Sequence, residues 1–269
     1  MSKIIVDNLR FSYTSEEEVL KGISLEFDNR STAIIGQNGS GKTTFVKLLK
    51  GLLKPSSGDI FIDSINTKTS TAAKLSKHIG LVFQNPNDQI FKNKVIDEVM
   101  FGPLNIGMDK KEAKLASETA LKEVGLYDKL NENPYDLSLS ERKLISIASI
   151  LAMDTAIVIF DEPTIAQDYL GKEKIKNIIN KLSSKGKLVI TIIHDMDFVG
   201  KTFERTIVFN NGKVLLDGST SEVYSQPAIL EKAFLEPPHV TQLCQKLGYK
   251  DTFLTAQEFI AFKKASYLK

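Results

Sequence analysis

Short apolar runs separated by turn residues fill the first third of the chain. Residues 4–6, 23–27 and 32–35 are rich in β-branched and aromatic side chains, a composition typical of strands. Residues 59–63 alternate apolar and polar side chains, whereas residues 79–83 form an apolar run interrupted only by glycine. The alternation predicts a strand, and the apolar run predicts a buried strand. The chain is therefore expected to begin as β-sheet.

Between about residue 90 and residue 153 the spacing of apolar residues changes from that of strands to that of helices. The stripe of one predicted helix consists of Leu115, Thr119, Leu121 and Val124. Asp109 and Glu112 have the spacing of an N-terminal capping box, which marks the start of a helix. We therefore predict a helical subdomain inserted between two sheet segments.

Sheet segments return after this insertion. Residues 156–160 and 188–193 are apolar runs, and a helix is predicted between them at about residues 169–182. Strand, helix and strand in this order form a parallel unit with a helical crossover. Asn211 and Gly212 then separate two further strand-like runs, which is a strong hairpin signal. The pattern as a whole predicts an α/β fold.

Composition limits the classes to which the chain can belong. With 269 residues, of which 42% are hydrophobic, it can bury the core of one large domain with an appendage, or of two small domains. A net charge of +2 from 35 basic and 33 acidic residues gives no basic face that would favour nucleic acid. The single cysteine, Cys244, cannot form an internal disulfide, and no apolar run approaches the ~18 residues of a membrane span. Charged residues near the N-terminus interrupt any secretory signal, so we expect a cytosolic protein. From the charge balance we expect no nucleic-acid partner.

A glycine-rich segment after residues 32–35 matches the phosphate-binding pattern G-x-x-x-x-G-K-T. It consists of Gly36, Gln37, Asn38, Gly39, Ser40, Gly41, Lys42, Thr43 and Thr44. Its glycines let the backbone turn so that successive N–H groups point at a phosphate, and the following helix adds the positive end of its dipole. Lys42 is expected to reach the β- and γ-phosphates, and the Thr43 hydroxyl to bind Mg²⁺. The alternative is a glycine-rich turn that only opens a helix; the strand-loop-helix context favours binding of a nucleoside triphosphate.

Two acids follow the predicted strand at residues 156–160. Asp161 and Glu162 would lie at the carboxyl end of a buried parallel strand, where α/β sheets hold their ligands. Asp161 is expected to hold Mg²⁺ through water, and Glu162 to orient the attacking water or accept its proton. His194 follows the next predicted strand and could hydrogen-bond a γ-phosphate oxygen. The alternatives are acids that only end a strand and a histidine with a structural role.

The order of these motifs resembles that of ABC-transporter ATPases over about the first 220 residues. The residues that carry the resemblance are the phosphate loop, Gln84, Leu137-Ser138-Leu139-Ser140-Glu141, Asp161-Glu162-Pro163-Thr164, Asp168 and His194. The resemblance implies a P-loop NTPase core of the RecA-like type, with N-terminal antiparallel strands, the inserted helical subdomain and a C-terminal helical extension. It divides the chain into a nucleotide-binding domain, residues 1–222, and the extension, residues 223–269. It also implies ATP and Mg²⁺ as ligands and ATP hydrolysis as the reaction.

The same resemblance gives roles to three further residues. Tyr13 matches the aromatic residue that stacks on adenine in the family, although it could also be a half-buried strand aromatic. Gln84 matches the glutamine of the Q-loop, which touches Mg²⁺ or the attacking water and changes position as the helical subdomain rotates. Asp168 matches the aspartate of the D-loop, which crosses the dimer interface beside the partner's phosphate loop. Here the D-loop, residues 165–168, departs from the usual small-Gly-Leu sequence that precedes the aspartate.

The signature segment, residues 137–141, departs most from the family, in which it reads Leu-Ser-Gly-Gly-Gln. In the family this segment opens a helix whose serine hydroxyl and glycine amides bind the γ-phosphate held by the opposite subunit. Both glycines are replaced here, which restricts the backbone and its approach to phosphate. Ser138 and Glu141 keep the spacing of a capping box, so a helix start is still predicted. Two interpretations stay open: a capped helix start alone, or a weakened γ-phosphate contact through Ser138 and Ser140.

An intact hydrolytic half-site combined with an altered signature predicts an asymmetric dimer. Lys42, Glu162 and His194 would hydrolyse ATP that is closed in by a second ABC ATPase subunit with a consensus signature. The other composite site, closed by the signature segment of this chain, would bind ATP but turn it over slowly. This reasoning favours a heterodimer, and a homodimer is the alternative.

The segment Phe83-Gln84-Asn85-Pro86-Asn87-Asp88-Gln89-Ile90-Phe91 is similar to the Q-loop of energy-coupling-factor (ECF) and cobalt-type importer ATPases, and Leu235-Glu236-Pro237-Pro238 resembles the proline pair of their C-terminal extension. This resemblance implies uptake of a vitamin or metal ion. An integral membrane T-component would dock beside the Q-loop, and a separate membrane protein would bind the substrate. The chain would be a peripheral subunit on the cytoplasmic face of a prokaryotic membrane. The extension would enlarge the dimer contact or, alternatively, pack as a helical lid on its own domain.

Three other classes are weaker interpretations. A nucleotide-gated assembly subunit with little turnover would explain the altered signature, but Glu162 and His194 argue against it. A soluble ABC ATPase of translation or DNA repair usually has tandem domains or long coiled-coil insertions, and this sequence has no sign of either. A small-molecule kinase would not explain Gln84, His194 and the signature-like segment together.

Overall fold

The computed structural model describes residues 3–15 and 17–267. The first two residues of the N-terminal segment and the last two of the predicted extension lie outside the described residues. The strands are β1 (Ile4–Ser12), β2 (Glu18–Phe27), β3 (Thr32–Gly36), β4 (Ser57–Ile62), β5 (Ile65–Asn66), β6 (Ile79–Val82), β7 (Ile157–Asp161), β8 (Leu188–Ile192), β9 (Arg205–Asn210) and β10 (Lys213–Ser219). The helices are α1 (Lys42–Leu49), α2 (Ala72–Leu75), α3 (Val95–Ile106), α4 (Lys110–Val124), α5 (Leu139–Ala152), α6 (Tyr169–Ser184), α7 (Met196–Thr202), α8 (Thr220–Tyr224), α9 (Pro227–Lys232), α10 (His239–Lys246) and α11 (Ala256–Tyr267).

The larger of two sheets has the strand order β10-β9-β3-β8-β7-β6. Its neighbouring strands are parallel, except for the antiparallel pair β9 and β10. This pair turns at Asn211 and Gly212, whose φ angles of 47° and 77° place both in the left-handed conformation of a two-residue hairpin. The strands β7 and β8 are parallel neighbours joined through α6. The predicted hairpin and the predicted parallel unit are therefore both confirmed.

The smaller sheet is antiparallel, with the order β2-β1-β4-β5. Together with α1 it covers one face of the larger sheet, while the other face packs against the helices from α3 onward. Strand β7 contributes to both cores: Ile157 and Ile159 pack on the side of α1, and Val158 and Phe160 pack on the side of α5. Because both of its faces are buried, the strand is apolar throughout until it reaches its terminal acid.

Helices α3, α4 and α5 form the predicted subdomain between β6 and β7, and α5 packs against both of the others. Asp109 caps α4, since its Oδ1 accepts hydrogen bonds from the amides of Lys111 and Glu112 at 2.7 and 2.9 Å. At the start of α5, Ser138 and Glu141 form a complete capping box. The helix starts predicted in this region are therefore confirmed.

The C-terminal extension begins within the same core as the rest of the chain. Helix α8 spans the expected boundary at residues 222 and 223, and Val223 and Tyr224 are buried beside the helices of the larger sheet. Farther along, Thr255 and Glu258 form the predicted capping box, with the Glu258 amide 3.2 Å from Thr255 Oγ1 and the Thr255 amide 3.3 Å from Glu258 Oε2. The first part of the extension is thus continuous with the preceding domain.

Candidate nucleotide-binding and hydrolysis site

The carboxyl ends of three parallel strands meet at one edge of the larger sheet, because β8 lies between β3 and β7. Strand β3 leads into the phosphate loop and α1, β7 into the acidic pair, and β8 into His194. A cavity of about 550 Å³ opens at this edge. It is lined by Tyr13, Glu17, Val19, Asn38, Gly39, Gly41, Lys42, Thr43, Thr44, Gln84, Glu162, Ile192 and His194. The parallel topology therefore brings together candidate residues that are far apart in sequence.

Two glycines of the phosphate loop occupy positions that a larger residue cannot take. Gly36 has a φ of 152°, and a Cβ there would lie 2.3 Å from the backbone oxygen of Phe209. Gly41 has a φ of 100°, and its Cβ would lie 2.6 Å from Leu20 Cδ2. Both residues combine a backbone angle that favours glycine with a close approach to a neighbouring strand. The loop thereby lies close to β9 of the larger sheet at one end and to β2 of the smaller sheet at the other.

Lys42 is the first residue of α1 and closes the phosphate loop. Its Nζ donates hydrogen bonds to the backbone oxygens of Gly36 and Gln37 at 2.7 and 2.8 Å. Burial lowers the pKa of Lys42, and the carboxylates of Glu162 and Asp161 oppose that shift. The ammonium group and the N-terminus of α1 lie at the same cavity, which is the arrangement that binds phosphate groups.

The acidic pair at the end of β7 is buried, with 2% of Asp161 and 4% of Glu162 exposed. Burial raises the pKa of Asp161, while a hydrogen bond from the Thr43 hydroxyl and the charges of Lys143 and Lys42 oppose the shift. Burial and the neighbouring Asp161 raise the pKa of Glu162 to about 7. A carboxyl group with a pKa in this range can accept a proton near neutral pH.

Glu162 and His194 face each other across the ends of β7 and β8. Glu162 has a φ of 49°, which is rare for a residue with a side chain, and its amide donates to the Ile192 oxygen at 3.0 Å. His194 Nε2 lies 3.1 Å from Glu162 Oε1, in an orientation that does not form a hydrogen bond. Burial, with a contribution from the Lys42 charge, lowers the pKa of His194. The imidazole is therefore neutral near pH 7 and able to exchange hydrogen bonds within the cavity.

Tyr13 and Gln84 lie on the exposed walls of the cavity. The Tyr13 side chain follows β1 and is 60% exposed, with its hydroxyl 3.2 Å from Thr44 Oγ1. Its ring meets Phe11 edge-on, which leaves ring surface accessible to a planar group. The Gln84 side chain is exposed after β6, and its backbone oxygen accepts a hydrogen bond from Lys143. Both side chains line the cavity, so stacking of Tyr13 on adenine and contact of Gln84 with Mg²⁺ or the attacking water stay predictions.

The residues predicted to contact the nucleotide of a partner lie outside this cavity. The Ser138 hydroxyl donates to Glu141 Oε2 at 2.7 Å, and the Ser140 hydroxyl donates to Gln167 Oε1 at 3.1 Å. Asp168 caps α6, since its Oδ1 accepts from the Gly171 amide at 2.7 Å. Because these residues would act in a second subunit's site, their ligand roles stay predictions.

Two buried polar residues around the site were missed by the sequence reasoning. Gln167, which is 9% exposed, donates from Nε2 to the Ser140 backbone oxygen at 3.1 Å, in addition to accepting the Ser140 hydroxyl. Lys143, which is 1% exposed, lies within α5 beside the backbone of Gln84 and Asp161. In the sequence, Lys143 could have been noticed as a lysine at the start of an apolar helix stripe, and Gln167 as a polar residue in the altered D-loop.

Comparisons with known proteins agree with this architecture. The profile of the family described as ABC transporter matches residues 20–165, more than half of the chain. An ABC transporter ATP-binding protein of Pyrococcus furiosus is 41% identical over 247 residues, which are 92% of this chain and 94% of that protein. The energy-coupling factor transporter ATP-binding protein EcfA of Methanocaldococcus jannaschii is 37% identical over 247 residues, 91% of this chain and 88% of that protein.

A solved structure gives the same result at the level of the fold. CbiO1 of Clostridium perfringens, part of the ABC transporter complex CbiONQ, has a TM-score of 0.75 and 32% identity to this chain. The match covers 90% of this chain and 98% of CbiO1. The predicted fold class and the predicted enzyme class are therefore confirmed. Together with relatives that align over nine-tenths of their length, the family profile shows that this chain is an ATP-binding, ATP-hydrolysing member of the ABC transporter family.

Proposed function

We propose that this ATPase powers the uptake of a vitamin or metal ion as one subunit of an asymmetric ATPase dimer in an ECF-type transporter. The similarity to a protein named EcfA and to CbiO1 supports the transporter type. One observation carries the asymmetry: the nucleotide cavity is lined by Lys42, Glu162 and His194, whereas both hydroxyls of the signature segment are already hydrogen-bonded within their own chain.

Within the cavity each step of ATP binding and hydrolysis has a residue that would perform it. Lys42 and the N-terminus of α1 would bind the β- and γ-phosphates, and the exposed face of Tyr13 would stack on adenine. Glu162 would orient the attacking water and accept its proton, since burial raises its pKa to about 7. His194 and Gln84, which line the same cavity as Glu162, would contact the γ-phosphate and the water.

Asp161 and Thr43 fit a Mg²⁺ ion. Asp161 Oδ1 is buried and has no hydrogen-bond partner among the described residues, and the Thr43 hydroxyl is close enough to the same carboxyl group to lower its pKa. Mg²⁺ takes hard oxygen ligands and is usually held by one or two protein groups together with water and phosphate oxygens. When bound, the ion would neutralise charge that develops on the phosphoryl oxygens. Residues 3–15 and 17–267 contain no cluster of three or more His, Cys, Asp or Glu side chains suited to a metal, which agrees with a cation held mainly through the nucleotide.

The start of α5 is poorly arranged to receive a phosphate. Glu141 Oε2 accepts from both the amide and the hydroxyl of Ser138, at 2.9 and 2.7 Å, and Lys129 Nζ lies 2.6 Å from Glu141 Oε1. Hydrogen bonds from Lys129 and Ser138 lower the pKa of Glu141 to about 2, so a carboxylate stands at the helix N-terminus where an anion would bind. The Leu139 side chain, 41% exposed, adds bulk where the family has glycine. These features support slow turnover in the site that this segment closes.

The test is steady-state ATP hydrolysis by the purified chain over a wide range of protein concentration, with Glu162→Gln as the blank. Nucleotide binding is measured in the same samples. We expect binding without appreciable hydrolysis, because a homodimer would place an altered signature against both nucleotides. Activity per subunit that rises with concentration would contradict the asymmetric model, since two identical chains would then form a working dimer.

Restoring the signature is a second, positive test. The double variant Leu139→Gly with Ser140→Gly should gain concentration-dependent hydrolysis in the chain alone, because both nucleotide cavities already have their catalytic residues. Adding Ser138→Ala to this variant should remove the gain, and this triple variant is the matched control. No gain in hydrolysis by a variant that still binds ATP would count against the signature as the limiting element.

A surface beside the Q-loop, residues 83–91, supports docking of a membrane component. A cavity of about 480 Å³ lies between the Q-loop and α3. At its rim, Phe91 and Phe101 are 52% and 42% exposed and meet edge-on with ring centroids 4.7 Å apart. Lys92 Nζ lies 5.0 and 5.1 Å from the two ring centroids. Exposed aromatic side chains around a groove are suited to a helix of an apolar partner such as the T-component.

The docking proposal predicts where the chain is found in its cell. Within the described ranges no helix is long and apolar enough to cross a bilayer. We propose that the chain is held at the cytoplasmic face of a prokaryotic membrane by its protein partners. Phe101→Ser should shift the chain from the membrane fraction to the soluble fraction without loss of ATP binding. Leu115→Ser, at a 68% exposed apolar residue that does not line the groove, is the control and should leave the chain with the membranes.

A further inference from the structure

A buried lysine near the start of α5 contacts two segments of the hydrolysis site at once. Lys143 Nζ donates to the backbone oxygens of Phe83 at 2.8 Å, Gln84 at 2.7 Å and Asp161 at 3.2 Å. The first two belong to the Q-loop and the third ends β7. The three acceptors equal the number of N–H groups on an ammonium, so the buried cation is fully hydrogen-bonded.

Packing alone gives no reason for a charge at this position. Only 1% of Lys143 is exposed, and burying an ammonium is unfavourable compared with an apolar side chain of similar volume. Lys143 is absent from the lining of the nucleotide cavity; with Gln84, Leu139 and Ile165 it borders a separate cavity of about 260 Å³. It therefore acts through the residues that it contacts and not through the nucleotide.

The Q-loop is attached to α5 at further points. Gln89 Nε2 donates to the Ser146 backbone oxygen at 3.1 Å, and Arg142 Nη1 donates to Asn87 Oδ1 at 2.8 Å. These two bonds join the Q-loop to α5, whereas the bonds of Lys143 extend the connection to Asp161 at the end of β7. Removal of Lys143 would leave the Q-loop attached to α5 but detached from the strand that bears the acidic pair.

We propose that Lys143 is a positioning residue for ATP hydrolysis, which holds the backbone of Gln84 against the end of β7 so that the Gln84 side chain stays in the cavity with Glu162. A displacement of about 1 Å at a positioned group can lower a rate by on the order of 100-fold. None of the three hydrogen bonds of Lys143 goes to the phosphate loop, so we expect nucleotide affinity to change little when Lys143 is replaced. The proposal rests on the ATPase activity of the chain and is independent of the transporter type.

The test compares Lys143→Met and Lys143→Gln with a matched control, Lys50→Met. Lys50 is also a buried lysine, 8% exposed, whose Nζ donates to the Ile79 oxygen at 2.5 Å and to Ser76 Oγ at 2.8 Å. Ile79 begins β6, at the edge of the sheet opposite the nucleotide cavity. kcat and KM for ATP are measured in the assembly in which the wild-type chain hydrolyses ATP. Nucleotide dissociation constants, melting temperatures and amide hydrogen exchange of residues 83–91 are measured on each chain alone.

We expect Lys143→Met to lower kcat by about 10- to 100-fold, with KM and the nucleotide dissociation constant changed by less than about threefold, and to speed exchange across residues 83–91. Lys143→Gln, which keeps an N–H donor, should lose less of kcat. Lys50→Met should lower the melting temperature but leave kcat and the exchange of the Q-loop unchanged. The proposal is overturned if Lys143→Met keeps kcat within about twofold, if Q-loop exchange does not change, or if Lys50→Met loses as much activity. Should Lys143→Met fail to fold, Lys143→Gln decides by the same criteria.

Discussion

The hydrogen bonds between Gln167 and Ser140 join the two segments that depart most from the family pattern. Gln167 Nε2 donates to the Ser140 backbone oxygen, and the Ser140 hydroxyl donates to Gln167 Oε1, both at 3.1 Å. Gln167 is 9% exposed, so these bonds are partly shielded from water. The D-loop and the signature segment are thus hydrogen-bonded to each other within one chain. The coupling energy between Gln167 and Ser140 can be measured by a double-mutant cycle.

The expected magnitudes follow from the groups removed. Gln167→Ala deletes two neutral hydrogen bonds, worth about 1 kcal/mol each, and one buried methylene, worth about 0.8 kcal/mol. Side-chain conformational entropy that is no longer lost on folding offsets about 1–2 kcal/mol of this sum. The variant should therefore lose about 1–2 kcal/mol of unfolding free energy. Ser140→Ala deletes only the bond from its hydroxyl, and the coupling energy between the two substitutions should be about 1 kcal/mol.

Urea-induced unfolding followed by circular dichroism gives these free energies for the wild type, both single variants and the double variant. A coupling energy below about 0.3 kcal/mol would refute the reasoning, because it is within the additivity expected of independent sites. Gln242 provides the matched control: it lies in α10 and bonds to the Pro237 oxygen at 2.8 Å, remote from α5. Its substitution by alanine should combine additively with Ser140→Ala.

Three further outcomes test the nucleotide cavity itself. Gly36→Ala should abolish nucleotide binding in equilibrium titrations, because its Cβ would lie 2.3 Å from the Phe209 oxygen. Gly39→Ala has open space around its Cβ and only the strain of a φ of 78°, so it should bind nucleotide with a moderate loss; equal effects of the two would contradict the geometry. Glu162→Gln should lower kcat by about 10²- to 10⁴-fold and keep ATP affinity, and a rate near the wild-type value would remove Glu162 as the base. Since burial raises the pKa of Glu162 to about 7, its protonation should reduce kcat/KM as the pH falls from about 8 to 6, and a rate that is constant until about pH 5 would contradict that pKa.

The main strands, the central helices and most of the residues that line the nucleotide cavity could be predicted from the sequence, because each depends on a local pattern. The apolar run of β7 is continuous since both its faces are buried, and the acids that follow it must then leave the sheet at its carboxyl edge. The capping boxes at Ser138 and Thr255 are likewise local, since each joins residues only three positions apart. The boundary expected between residues 222 and 223 falls inside helix α8, whose buried residues belong to the common core.

The sequence by itself determined the fold class, the phosphate loop and the acids and histidine at the strand ends, since periodicity and motif spacing are properties of short segments. Only the tertiary structure decided which partners the remaining polar groups find. Ser140 and Gln167 are 27 residues apart, and Lys143 is 60 residues from Phe83 and 18 from Asp161. Such pairs form because the order of strands and the packing of α5 place them together, and a buried polar group must then be satisfied by whichever neighbour the fold supplies.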